Sequence, residues 1–135
     1  MVVVDTNVIA ALYLPSNYTA QAESLLLQDA DWLAPALWRS EMRNVLTKYL
    51  RAKMMTLEQV CNIQNQAEKL MGVNEYPVRS ADVLKLTCTS QCSAYDCEFV
   101  ALAQHLNSPF VTLDKQILAQ FPTITIALKD LEIKN

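Results

Sequence analysis

Short β-branched or apolar runs alternate along this chain with longer stretches in which apolar residues recur every three or four positions. Val2-Val3-Val4 suits a central strand buried on both faces, and Val8, Ile9, Leu12 and Tyr13 predict a short helix that Pro15 ends. Tyr18 to Gln28 reads as a helix with Ala22, Leu25 and Leu26 inward, and Trp32-Leu33-Ala34 as a second strand. Pro35 is placed to start a long helix reaching Lys53, whose stripe is Trp38, Met42, Val45, Leu46, Tyr49 and Leu50. Thr56 caps the next helix, with Val60, Ile63, Ala67, Leu70 and Met71 along one side and Gly72 at its end. Val73 to Val78, broken by Pro77, is at most an edge strand. Ser80 is expected to cap a helix carried by Ala81, Leu84 and Cys88.

From about Tyr95 a further helix places Phe99, Val100, Leu102, Ala103 and Leu106 on one stripe. Asn107-Ser108-Pro109 turns the chain into the buried run Phe110-Val111-Thr112-Leu113. Ile117 and Leu118 begin a short helix before Pro122, and Thr123 to Leu128 makes a last strand. Strands alternating with helices, without a repeat or linker, predict a single domain over residues 1–135. Its class is α/β, a three-layer α/β/α sandwich with a mainly parallel central sheet.

Composition narrows the functional classes. Apolar residues are 52% of the 135 and there is one glycine, which excludes disordered and low-complexity readings. No apolar run approaches the roughly eighteen residues of a membrane span. The start, Met1-Val2-Val3-Val4-Asp5, lacks the basic region of an export signal, so a cytoplasmic protein is expected. Cys61, Cys88, Cys92 and Cys97 fit reduced, buried structural thiols. Their spacing and the lone His105 do not make a zinc pattern. The net charge of −3 argues against general polyanion binding, although Arg39, Arg43, Lys48, Arg51 and Lys53 crowd one segment that holds a single acid, Glu41.

The chemistry lies in four acids. Asp5 follows the first strand at a strand-to-helix junction, where open parallel sheets place their ligand crevice; a plain helix N-cap is the competing role. Asp114 stands where the Phe110–Leu113 strand should end. Asp96 is in line with the apolar stripe of its helix, while Glu98 and His105 fall on the side expected to face solvent. Glu41 borders the long helix's stripe, able to reach a cleft or to pair with Lys48. If the two strands are parallel neighbours, these carboxylates share one crevice, and like charges there raise one another's pKa unless a cation compensates. Hard divalent ions such as Mg2+ or Mn2+ take oxygen ligands. No DxDxDG loop for calcium is present.

Four segments in order, VVVDTNVIAAL, WRSEMRNVL, AYDCEFVALAQHL and PFVTLDKQIL, resemble the PIN-domain family, and within it the small VapC-type toxins of toxin–antitoxin pairs. The resemblance implies a parallel sheet flanked by helices and a metal-dependent ribonuclease that hydrolyses RNA phosphodiester bonds at an Mg2+ or Mn2+ site. The motif acids fall on Asp5, Glu41, Asp96 and Asp114, with Asp5 and Asp96 expected closest to the metal. Thr112, Thr6 and Asn7 are expected in support, and Arg39 and Arg43, one helical turn apart near Glu41, as guides for the RNA backbone. The resemblance also implies a homodimer, silenced by an antitoxin protein whose extended segment enters the acidic groove. Tyr13, Leu14 and Tyr49 are apolar candidates for a partner groove, with burial in the core the expected fate of each. The alternatives are a catalytically idle PIN scaffold acting as a binding or dimerisation module, and a phosphoryl-transfer fold. Asn7 stands where a haloacid-dehalogenase-like phosphatase needs its second acid, and the acids are not arranged as in a receiver domain.

Overall fold

Four short parallel strands form the central sheet: β1 (Val2–Val4), β2 (Trp32–Leu33), β3 (Phe110–Thr112) and β4 (Thr125–Ala127), in the order β2-β1-β3-β4. The architecture is that of a computed structural model, which describes residues 1–134. Val2, Val3 and Val4 are almost fully excluded from solvent, as a strand covered on both faces requires. Val3 pairs with Phe110 and Val4 with Val111, so β1 and β3 end side by side.

Between the strands run α1 (Thr6–Tyr13), α2 (Thr19–Gln28), α3 (Leu37–Arg51), α4 (Leu57–Met71), α5 (Ser80–Cys88), α6 (Ala94–Leu106) and α7 (Lys115–Gln120), with a 3-10 turn at Leu128–Asp130. This is the three-layer α/β/α arrangement that the alternating pattern predicts. The chain leaves β1 outward to β2 and then returns across the sheet to β3 on the other side. The order therefore reverses between β1 and β3, and ligands of open parallel sheets bind at such a reversal, beyond the strand C-termini. Asp5 and Asp114 flank that point.

Local chemistry sets the helix ends. Thr56 and Gln59 form a reciprocal capping box at the start of α4, and Gly72 closes that helix at a positive φ of 54°. Ser93 caps α6, its Oγ accepting from the Asp96 amide at 3.1 Å. Asn107, at φ 49°, turns the chain out of α6 in the left-handed conformation that asparagine tolerates. The Phe99 and Phe110 rings stack 5.7 Å apart and tie α6 to β3.

Several expectations need correction. α5 turns Val83 into the core and leaves Ala81, Leu84 and Cys88 exposed. Its cap is Arg79 rather than Ser80. The helix packs on α6 through a single buried residue flanked by half-buried Leu86, and that contact, not the spacing of its apolar residues, sets its rotation. Cys92 and Cys97 are buried free thiols, but Cys61 and Cys88 are exposed. Residues 73–78 form no strand and contribute one isolated parallel bridge, Ala34 to Glu75. Leu14, by contrast, lies in the core as expected and offers nothing to a partner.

Candidate active site

Where β1 and β3 end, four carboxylates line one open cleft of about 280 Å³, together with Thr6, Asn7, Asn44 and Val45. Asp5, Glu41, Asp96 and Asp114 thus come together from the ends of two strands and from two helices. Among the described residues, no lysine or arginine lines this cleft.

Asp5, Glu41 and Asp114 are each held by identifiable donors. Asp5 is 7% exposed. Its Oδ1 accepts from the Thr6 amide at 2.8 Å, capping α1, and its Oδ2 accepts from the Thr112 hydroxyl at 2.6 Å and from Asn7 Nδ2 at 3.3 Å. The capping role weighed against a functional one is real, and the same carboxylate also faces the cleft. Thr112 Oγ1 in turn accepts from the Asp114 amide at 3.0 Å. One hydroxyl therefore ties the end of β1 to the residue after β3. Asn7 Oδ1 accepts from the Leu113 amide at 3.2 Å, a second tie between the same loops. Thr6 Oγ1 donates to Glu41 Oε1 at 2.8 Å and holds the α3 acid against α1. Asp114 caps α7, its Oδ1 accepting from Gln116 and Ile117.

The electrostatics follow from burial. The Asp5 carboxyl is pushed up from 3.8 to about 7, first by loss of solvent; the Thr112 and Thr6 hydrogen bonds oppose the rise, while the Glu41 and Asp96 charges add to it. Glu41 is raised by burial, against its Thr6 bond, with Asp96 and Glu98 adding. Asp96 is raised by burial and then by Asp114. No positive group enters any of these balances.

The chemistry of this donor set fits a hydrated divalent cation. A cluster of oxygen donors without a basic residue is short of positive charge, and only part of that shortage is met by hydrogen bonds. No three described His, Cys, Asp or Glu side chains converge tightly enough to enclose an ion. Any ion held there would therefore have to keep several of its waters, as hard divalent cations do when one or two carboxylates bind directly.

Arg39 does not serve as an RNA guide. Its Nε lies 2.6 Å from Glu75 and its Nη1 2.6 Å from Glu68, pinning α3 to α4 and the following loop. At about 100° per residue, Arg39 and Arg43 each sit about 160° round α3 from Glu41, so both face away from the cleft. Sequence proximity to Glu41 was the wrong measure. His105 is exposed as expected, but Glu98 is half-buried beside Val83 and Leu84. α6 is buried nearly all round, and α5 covers the flank that periodicity assigns to solvent. Asn44 and Val45 were missed as cleft residues; their positions, three and four after Glu41, are the signal that was available.

Residues 2–122 match the family model described as "PIN domain". The chain belongs to the PIN-domain family. It is 30% identical over 125 residues to Ribonuclease VapC3 of Pyrobaculum aerophilum, covering 90% of this chain and 95% of that protein, which makes it a PIN-domain protein of the VapC type. Among solved structures it resembles FitAcB from Neisseria gonorrhoeae, with a TM-score of 0.77 and 16% identity over 97% of this chain and all of that one. FitAB bound to an IR36 DNA fragment gives a TM-score of 0.72 and 17% identity over both full chains. At these identities the likeness is one of fold, which this PIN-domain chain shares with both. No described helix is long and apolar enough to cross a membrane.

Proposed function

We propose that this PIN-domain protein is an endoribonuclease dependent on Mg2+ or Mn2+, and the toxin of a toxin–antitoxin pair. The observation that carries the reading is the union of Asp5, Glu41, Asp96 and Asp114 in one cleft that no basic residue lines. Asp5 and Asp96 would hold the cation, with Glu41 and Asp114 completing the pocket. Bound there, a divalent ion supplies Lewis-acid polarisation of a phosphate oxygen and eases deprotonation of water.

The chain's own residues organise the rest. Thr112 fixes the Asp5 carboxylate and Thr6 fixes Glu41 Oε1, which leaves Glu41 Oε2, on an acid that lines the cleft, without a described hydrogen bond. With its pKa raised by burial, that oxygen is suited to take the proton of an attacking water, because a base works best when its pKa nears the working pH. Asn7 holds the β1 and β3 loops in register, so that the acids meet a phosphodiester as a preformed set. The ribonuclease assignment draws on the VapC-type relative, while the cytoplasmic setting, the homodimer and the antitoxin partner rest on the family resemblance alone. An arginine offered by such a partner would satisfy the same unpaired carboxylates.

The test is cleavage of a single-stranded RNA oligonucleotide in Mn2+, in Mg2+ and in chelator, with wild type, Asp5→Asn and Asp96→Asn. Cleavage only by wild type and only with metal is expected. Equal cleavage by all three proteins would discard the site, and no cleavage by any would favour the idle scaffold.

A further inference from the structure

We infer that Asn44, Lys48 and Arg51 form a track along α3 on which the phosphodiester backbone of single-stranded RNA runs out of the acidic cleft, an inference that rests on the ribonuclease reading above. Glu41, Asn44, Lys48 and Arg51 are spaced by three, four and three residues, the spacing of one helix face. At about 100° and 1.5 Å per residue, Lys48 sits within about 20° of Glu41 and roughly 10 Å further along the axis. Asn44 lies about 60° round and Arg51 about 80°. Asn44 and Val45 line the cleft with Glu41, so the cleft follows α3 for one turn past Glu41, and Lys48 lies one further turn along that face.

The other polar side chains of the cleft are already engaged. Thr6 donates to Glu41, and Asn7 spends its amide on Asp5, Thr112 and the Leu113 backbone. Asn44 is exposed and, among the described residues, its side chain takes part in no hydrogen bond within the chain. Lys48 and Arg51 are exposed too, and the described ion pairs of lysine and arginine side chains all belong to Arg39. Both cations also complement the C-terminal end of α3. That accounts for positive charge in the last turn, but not for its alignment with the catalytic acid. A polyanion approaching a cleft of four carboxylates needs compensating charge beside them, and this face supplies it where the overall balance of −3 does not.

The experiment measures binding of a fluorescently labelled single-stranded RNA oligonucleotide in chelator, where cleavage does not intervene, over about 50–200 mM salt. Each phosphate contact on a single strand contributes roughly 0.7 to the slope of log affinity against log salt, so Lys48→Gln with Arg51→Gln is expected to flatten that slope by about 1.4. Asn44→Ala should weaken binding severalfold at every salt concentration with the slope unchanged, and Arg43→Gln, on the far face, should follow wild type. A wild-type slope in the double variant, equal flattening by Arg43→Gln, or no binding by wild type overturns the track. Cleavage with Mn2+ is followed in parallel. Binding that shows the predicted slopes without any cleavage would sink the ribonuclease reading alone, and cleavage with unchanged slopes would sink the track alone.

Discussion

Replacing Asp5 with asparagine should make the metal-free protein more stable at pH 8 while removing its activity. Folding lifts the Asp5 carboxyl from 3.8 to about 7, chiefly by burial. At ~1.36 kcal/mol for each tenfold change in proton affinity, holding Asp5 ionised above pH 7 costs the fold about 4 kcal/mol. Between about pH 4 and pH 7 the folded chain keeps a proton that the unfolded chain has released, so stability falls as pH rises through that window. Asparagine keeps the Thr6 cap through its carbonyl oxygen. Its amide meets the Thr112 hydroxyl, which must turn from donor to acceptor, and it abuts Asn7 Nδ2; together these cost about 1–2 kcal/mol. The net gain at pH 8 is then about 2–3 kcal/mol, or roughly 6–9 °C in Tm for a chain of this length. By pH 5 the advantage shrinks by about 2.5 kcal/mol and nearly vanishes. Thermal unfolding in chelator at the two pH values reads this directly. A variant that loses the same stability at both would refute the argument, because Asp5 would then be an ordinary cap whose charge the fold welcomes.

Thr112→Val removes the 2.6 Å bond to Asp5 at nearly constant shape; a buried charge-assisted bond is worth about 1.5–3 kcal/mol. The acidic limb of the cleavage pH profile should move up by one to two pH units, and an unmoved limb would show that Asp5 is not the group that titrates there. Asp96→Asn should cut cleavage by about a hundredfold or more while Tm in chelator holds or rises, since it too relieves a buried charge. Adding Mg2+ or Mn2+ should raise the wild-type Tm by ligand linkage and leave Asp5→Asn almost unmoved; equal rises would place the ion elsewhere. Arg39→Ala, which frees Glu68 and Glu75, should cost about 1–2 kcal/mol in urea unfolding with the salt dependence of RNA binding unchanged.

The sheet was readable because it asks little of context. Val2–Val4 and Phe110–Thr112 are short apolar runs that fit only a covered strand, and the acids after them follow once the strands are neighbours. Asp96 was readable for a similar reason, since a carboxylate in line with Phe99, Val100 and Ala103 demands a partner. What periodicity could not give was rotation. α5 is short and has several apolar residues on more than one side, so its packing on α6 decides that Val83 goes in and Leu84 stays out. Glu98 failed on the same contact, because the flank it occupies is open on an isolated α6 and covered once α5 lies against it. Arg39 and Arg43 failed for another reason. Nearness to Glu41 in sequence hid a displacement of nearly half a turn, and the carboxylates that claim Arg39 lie 29 and 36 residues away.

Three helices begin at the cleft, and their direction explains how four acids share it at all. Asp5 caps α1 and Asp114 caps α7, while Asp96 sits in the first turn of α6. A helix N-terminus carries up to about half a positive charge, so the three together offset about 1.5 of the four negative charges. The backbone donors are already committed, to Asp5 Oδ1 and Asp114 Oδ1, and burial outweighs them, since Asp5 still rises to about 7. With all four acids ionised, at least about −2.5 is left over, more than a single lysine would neutralise. Backbone dipoles stop short of neutrality, and the shortfall is what the proposed metal would meet.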